Sequence, residues 1–162
     1  MIDVLIADDH PMVREGLAAM LESEGDFNVV ALASNGEEAA AAAREKRPGV
    51  ILSDVRMPKA GGFDLLAAVR EENLGSRVLL LAGMPLGEEV ERARNSGAAG
   101  YLPKDVDLDT LSDAVRKISS DPSYFAEETF EPAPSLLTSR EMDVLKLVSS
   151  GLQREKIAES LG

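Results

Sequence analysis

The sequence predicts an α/β fold: a doubly wound, five-stranded parallel sheet with helices on both faces. Three observations predict it. Between residues 1 and 119, short apolar runs alternate five times with longer stretches of helical periodicity, the rhythm of strand–helix units. The runs Val4-Leu5-Ile6-Ala7 and Val50-Ile51-Leu52-Ser53 are apolar or small throughout, as strands buried on both faces require. Both runs stop abruptly at carboxylates, Asp8-Asp9 and Asp54, at the strand ends where such sheets place their ligands.

Residues 1–7 read as the first strand. Pro11 suits the first turn of a helix, where its missing N–H costs nothing. Met12, Val13, Leu17, Met20 and Leu21 then recur at helical spacing until Gly25 and Asp26. Residues 29–33 form a second strand, Ser34-Asn35-Gly36 a turn, and 37–47 an Ala-rich helix stopped by Pro48-Gly49. The third strand, 50–54, ends at Asp54, and Pro58 and Gly61-Gly62 turn the chain. A helix over 62–72 turns Phe63, Leu65, Leu66 and Val69 inward. Residues 77–81 are strand four, 88–95 a helix ended by Gly97, and 100–102 a short strand five. The last helix of this part, 107–119, carries Leu108, Leu111, Val115 and Ile118 on one side.

Beyond residue 119 the character changes. Asp121-Pro122, Pro132 and Pro134, with several acids, mark a linker over 120–135, which Phe125 and Phe130 could pin to a surface. Thr138 and Glu141 then have capping-box spacing. Met142, Leu145, Leu147 and Val148 give the following helix an apolar side, Ser149-Ser150-Gly151 ends it, and a second helix covers about 154–161. Two short helices around a tight glycine-containing turn suggest the start of a helix-turn-helix. The expected organisation is a domain over 1–119, a linker over 120–135 and an incomplete helix-turn-helix over 136–162.

Composition narrows the function classes. A net charge of -12 makes the chain a poor non-specific binder of polyanions. Residues 136–162 balance four acids with four bases, so the acidity lies upstream and DNA contact would need a local patch. Without cysteine there is no disulfide or thiolate metal site. No stretch approaches the roughly 20 apolar residues that span a bilayer, and the short N-terminal run already contains Asp3, Asp8 and Asp9. The expectation is a cytoplasmic protein with no membrane partner.

On this reading Asp8, Asp9, Asp54, Ala82-Gly83 and Lys104 gather at one edge of the sheet. At about 5 Å and an effective dielectric near 20, each pair of carboxylates repels by roughly 3 kcal/mol. Raised pKa values or a bound cation must offset that. Hard oxygen donors favour Mg²⁺, which readily takes a phosphate oxygen. Lys104 supplies a point charge for a second phosphate oxygen. A carboxylate nucleophile, a divalent ion and a lysine are the parts of in-line phosphoryl transfer to an aspartate. Singly, each signal has a blander reading: a turn or N-cap aspartate, an acidic pair at a helix start, a solvated lysine. Together, at the ends of strands one, three and five, they point to Asp54 as a phosphoryl acceptor. His10, the only histidine, fits the helix entry better than phosphoryl transfer. Tyr101 is either a buried aromatic or a mobile switch.

These residues carry a resemblance. Ala7-Asp8-Asp9-His10-Pro11, Ser53-Asp54-Val55-Arg56-Met57-Pro58 and the segment from Gly97 to Asp105 resemble the receiver domain of bacterial two-component response regulators. Leu137-Thr138-Ser139-Arg140-Glu141, Gly151-Leu152 and Lys156-Ile157-Ala158 are similar to the start of a LuxR-type helix-turn-helix, so the whole resembles the NarL/FixJ group. The resemblance implies a flavodoxin-like (CheY-like) sheet of order 2-1-3-4-5. It implies that Asp54 takes a phosphoryl group from a histidine kinase to control transcription. Mg²⁺ would be held by Asp9, Asp54 and the backbone carbonyl of Arg56, with Asp8 acting directly or through water. Lys104 would bind the acyl phosphate and Tyr101 would be the aromatic switch. It implies no enzyme in the ordinary sense: self-catalysed phosphotransfer and autodephosphorylation at most.

Two departures qualify the resemblance. The family places Ser or Thr at the end of strand four, where Leu79-Leu80-Leu81 here leads into Ala82. A charge-assisted hydrogen bond is worth roughly 1.5–3 kcal/mol, comparable to a coupling energy of roughly 1–3 kcal/mol. The expected switch is therefore weakened, or uses another contact such as the N–H groups of Gly83 or Met84. The family's recognition helix, which would read bases, should follow Gly162 and is missing from this sequence. Negligible specific DNA binding is expected without it. The alternative is an atypical receiver acting as a protein-interaction or relay module without DNA. An aspartyl-phosphate phosphatase ranks last, since those enzymes space two first-strand aspartates by one residue and Asp8 and Asp9 are adjacent. A homodimer is expected, through the helices after strands four and five or through the first and last helices.

Overall fold

This structure, a computed structural model, describes residues 1–128. Its elements are β1 (Ile2–Ala7), α1 (Pro11–Ser23), β2 (Phe27–Ala33), α2 (Gly36–Lys46), β3 (Val50–Asp54), α3 (Gly62–Glu71), β4 (Arg77–Ala82), α4 (Gly87–Asn95), β5 (Gly100–Pro103), α5 (Leu108–Ser120) and β6 (Ala126–Glu127). The strands form one sheet in the order β2-β1-β3-β4-β5-β6, and every neighbouring pair is parallel. The flavodoxin-like order is the one expected, with a sixth strand added at the β5 edge. Among the described residues, no helix is long and apolar enough to cross a membrane.

The sheet separates two cores. Leu5, Ile51, Val78, Leu80 and Tyr101 point to one side, where they meet Ala39, Ala40 and Ala43 of α2 and Leu65, Leu66 and Val69 of α3. Val4, Ile6, Leu52, Leu79 and Leu81 point to the other, against Leu21 of α1 and Leu111, Val115 and Ile118 of α5. Alternate residues of β1, β3 and β4 therefore feed opposite cores. That is why these strands read as unbroken apolar runs. The alanines of α2 give it a slim inward face.

The structure departs from the expectations in three places. Of the five apolar residues marking α1, only Leu21 is fully buried and Leu17 is partly so, while Met12, Val13 and Met20 are exposed, Met12 to 88%. Helical spacing detects periodicity, not which stripe faces the sheet. β2 begins at Phe27, two residues before the apolar run, because Phe27 is a core residue beyond the left-handed Gly25. Residues 121–128, the first part of the expected linker, belong with the sheet: Ala126 pairs with Gly100 and Glu127 with Tyr101, and Tyr124 and Phe125 pack on opposite cores. Gly100 makes this possible, since a Cβ there would meet the Ala126 carbonyl oxygen at 2.5 Å and its Cβ at 2.6 Å. The remainder of that linker and the helix-turn-helix proposed for 136–162 lie outside the described residues.

Candidate functional site: an acidic crevice at the strand ends

The carboxyl ends of β1, β3 and β5 bring their polar residues to one place. Asp54 is the last residue of β3 and Asp8 follows β1 directly. They are 6% and 2% exposed, very low values for carboxylates. Lys104, just after β5, reaches both: its Nζ lies 2.8 Å from Asp8 Oδ2 and 3.0 Å from Asp54 Oδ2. The backbone fixes these positions. Val55 N–H donates to the Leu81 carbonyl and Lys104 N–H to the Ala82 carbonyl, so the ends of β3, β4 and β5 are tied together. Gly62 lets α3 start against β3, because a Cβ there would stand 2.6 Å from the Asp54 carbonyl oxygen and 2.8 Å from Leu80 Cδ2.

On the other side of Asp8, the His10 backbone N–H donates to Asp8 Oδ1 at 2.8 Å, and Arg14 Nη1 donates to the Asp8 carbonyl at 2.7 Å. His10 Nδ1 lies 3.1 Å from both Asp8 Oδ1 and Asp9 Oδ1. Asp9 Oδ1 is nonetheless buried without a hydrogen-bond partner. On Asp54, the Arg56 N–H approaches Oδ1 at 3.4 Å, a long contact.

Electrostatics match this crowding. Burial raises the Asp54 pKa above the usual aspartate value, Asp8 adds to the rise, and Lys104 only partly opposes it. Burial works against the charge of Lys104, yet its hydrogen bonds to Asp8 and Asp54 outweigh that and hold its pKa above the ordinary lysine value. Three carboxyl groups thus gather around one ammonium in the crevice.

Donor atoms of Asp8, Asp9, His10 and Asp54 all lie within 4.8 Å of one another. The orphaned Asp9 oxygen and a mainly carboxylate donor set fit a hard divalent cation such as Mg²⁺.

Two expected residues behave differently from these. Ala82, 4% exposed, ends β4 beside the crevice and offers no hydroxyl. Tyr101 is fully buried: its hydroxyl donates to Glu89 of α4 and accepts from the Leu86 N–H at 3.4 Å. Burial and the hydrogen bond to Glu89 push its phenol well above the usual tyrosine pKa. Glu89 also meets Arg56 Nη2, at 3.4 Å. Glu89, Arg14 and the Arg56 guanidinium are site residues that the sequence reading missed. Their partners lie 12, 6 and 33 residues away, beyond the reach of any local motif.

The receiver-domain family of response regulators matches residues 4–116. A nitrate/nitrite response regulator homologue from Haemophilus influenzae is 34% identical over 99% of this chain and 81% of its own length. The nitrate/nitrite response regulator NarL of Escherichia coli is 33% identical over 98% of this chain and 80% of its own. A solved signal receiver domain from Mycobacterium tuberculosis is 37% identical, with a TM-score of 0.71 over 74% of this chain and 96% of that one.

Proposed function

Since this chain belongs to the response regulator receiver family, with NarL-type relatives along its length, we propose that Asp54 is the acceptor in a two-component phosphorelay. The observation that carries this is the Lys104 ammonium bridging Asp8 and Asp54 beside an unpartnered Asp9 oxygen. An Asp54 carboxylate oxygen would attack the phosphorus of a kinase phosphohistidine. The P–N bond breaks and the imidazole leaves with the electron pair. Lys104 then moves its charge from the carboxylates to the transferred phosphoryl oxygens. Asp9, Asp54 and the Arg56 carbonyl, with Asp8 directly or through water, would hold Mg²⁺, which when bound neutralises charge on the transferring group.

The chain is read as an acceptor, not an enzyme with a free substrate: it catalyses its own phosphorylation and, at most, its own dephosphorylation. The kinase must reach a crevice flanked by α1, whose Met12, Val13 and Met20 are exposed; we assign that face to kinase docking. Transcriptional control through a LuxR-type DNA-binding domain, as a homodimer, is the matching output in a chain with a recognition helix.

Incubation with a small phosphoryl donor and Mg²⁺, followed by intact-mass and peptide mass spectrometry, tests the reading. Wild type should gain one phosphoryl group on Asp54 and Asp54→Asn none. Equal labelling of both would defeat it. Ala82 supports a second reading, a receiver that works by protein contact without a phosphorylation-driven switch. That reading expects labelling of Asp54 with no change in oligomeric state.

A further inference from the structure

Without a hydroxyl at position 82, the acceptor must reach the rest of the domain by another route, and α4 supplies one. At its N-terminal end, Glu89 accepts from the Tyr101 hydroxyl and pairs with Arg56, two residues beyond Asp54. At its C-terminal end, Arg94 Nη2 lies 2.8 Å from Glu127 Oε1, and the same guanidinium sits 4.4 Å from the centre of the Phe125 ring. Glu127 belongs to β6, where its register partner is Tyr101. The residue whose side chain is held by Glu89 therefore also carries β6 on its backbone.

β6 is two residues long and lies at the sheet edge, where Ala126 is buried with its N–H donating to the Ala99 carbonyl at 2.8 Å, and Arg77 ties down the preceding turn through the Asp121 and Tyr124 carbonyls. Freeing it breaks none of the other strand pairs of the sheet. A shift of α4 would act on β6 from both directions, through Arg94 and through Tyr101.

We propose that β6 is a detachable output strand, clamped to the sheet by α4 through Arg94 and released from the acceptor site through Arg56, Glu89 and Tyr101. Arg56 carries the backbone carbonyl assigned above to the metal. Loading of Asp54 draws the β3–α3 loop toward the phosphoryl group and withdraws the guanidinium from Glu89. α4 then shifts and its hold on β6 loosens. The input end of this device rests on the phosphoacceptor reading; the mechanical link from Glu89 to β6 does not.

Amide hydrogen exchange at Ala126, whose N–H donates to the Ala99 carbonyl, tests both ends in the full 162-residue chain. In the unliganded protein, Arg94→Ala and the surface change Glu127→Gln should each speed exchange at this amide about tenfold, while β3 and β4 keep their protection. Glu89→Gln, whose partners above are Arg56 and Tyr101, should speed it at least threefold. Exchange unchanged in Arg94→Ala and Glu127→Gln would show that Arg94 does not hold β6. Exchange unchanged in Glu89→Gln alone would show that α4 transmits nothing to it; either result overturns the proposal. Adding beryllofluoride with Mg²⁺ should release β6 several-fold in wild type, with fluorine NMR reporting whether the mimic is bound. Bound mimic with unaltered β6 exchange overturns the proposal. Absence of bound mimic counts against the phosphoacceptor reading instead, and the three variants still decide the link.

Discussion

The Lys104 ammonium stands 3.0 Å from Asp54 Oδ2 while also holding Asp8 Oδ2 at 2.8 Å, so one cation serves two buried carboxylates. Its removal leaves both without a counter-charge. Lys104→Ala should destabilise the metal-free domain by about 2 kcal/mol, the range for hydrogen bonds to charged groups, or about 1 M in urea midpoint at a typical slope. Mg²⁺ should recover part of the loss. A midpoint within about 0.2 M of wild type would mean that the two carboxylates do not rely on this lysine.

The raised pKa of Asp54 fixes the sign of a pH effect. The folded state holds the Asp54 proton more tightly than the unfolded state, so the stability this confers is present below the unfolded value near 3.8 and is lost as pH rises through the folded value. Asp54→Asn does not titrate. In metal-free buffer its stability advantage over wild type should therefore grow as pH rises from 3.8 through the folded value, then level off. The shift of Lys104 lies above the ordinary lysine value of 10.5 and does not enter this window. Urea melts across a pH series, with a chelator present, read the difference. A shrinking advantage would contradict the burial of a charged Asp54.

Metal should reverse that order. Saturating Mg²⁺ at about 100 times its Kd stabilises a single-site protein by about 2.7 kcal/mol. For a domain of this size that is a rise of roughly 10 °C in Tm. Asp9→Asn should lose most of the rise, since it removes a carboxylate charge whose buried Oδ1 makes no hydrogen bond within the protein. An unchanged Mg²⁺ shift in Asp9→Asn would remove Asp9 from the donor set.

The start of α3 is equally sensitive. Gly62→Ala puts a methyl group 2.6 Å from the Asp54 carbonyl oxygen, so β3 or α3 must move. Overpacking of this kind costs about 1–3 kcal/mol. Because the displaced atom belongs to the acceptor residue, the Mg²⁺-induced Tm rise should fall along with the stability. Wild-type values for both would show that the helix shifts without disturbing the site.

Much of this was legible because the sheet is buried on both faces. β1, β3 and β4 write that fact as apolar runs, and the carboxylates that end them stand out against it. Asp8, Asp9, Asp54 and Lys104 could be gathered because each stands at or just past the carboxyl end of a parallel strand. The orientation of α1 could not: Met12 and Met20 recur as regularly as Leu17 and Leu21, and only the packed sheet distinguishes outward from inward. β6 was hidden because Ala126-Glu127 is too short to show a period and follows Pro122. Glu89 lay on an acidic, exposed-looking helix, and its pairing with Tyr101 exists only once α4 is laid beside β5.

The missing side chain of Gly100 governs more than local packing. Because Ala126 can nestle against it, the chain that leaves α5 turns back along β5 and is held there as far as Glu127. A single hydrogen atom in place of a methyl group thus admits a sixth strand to the sheet.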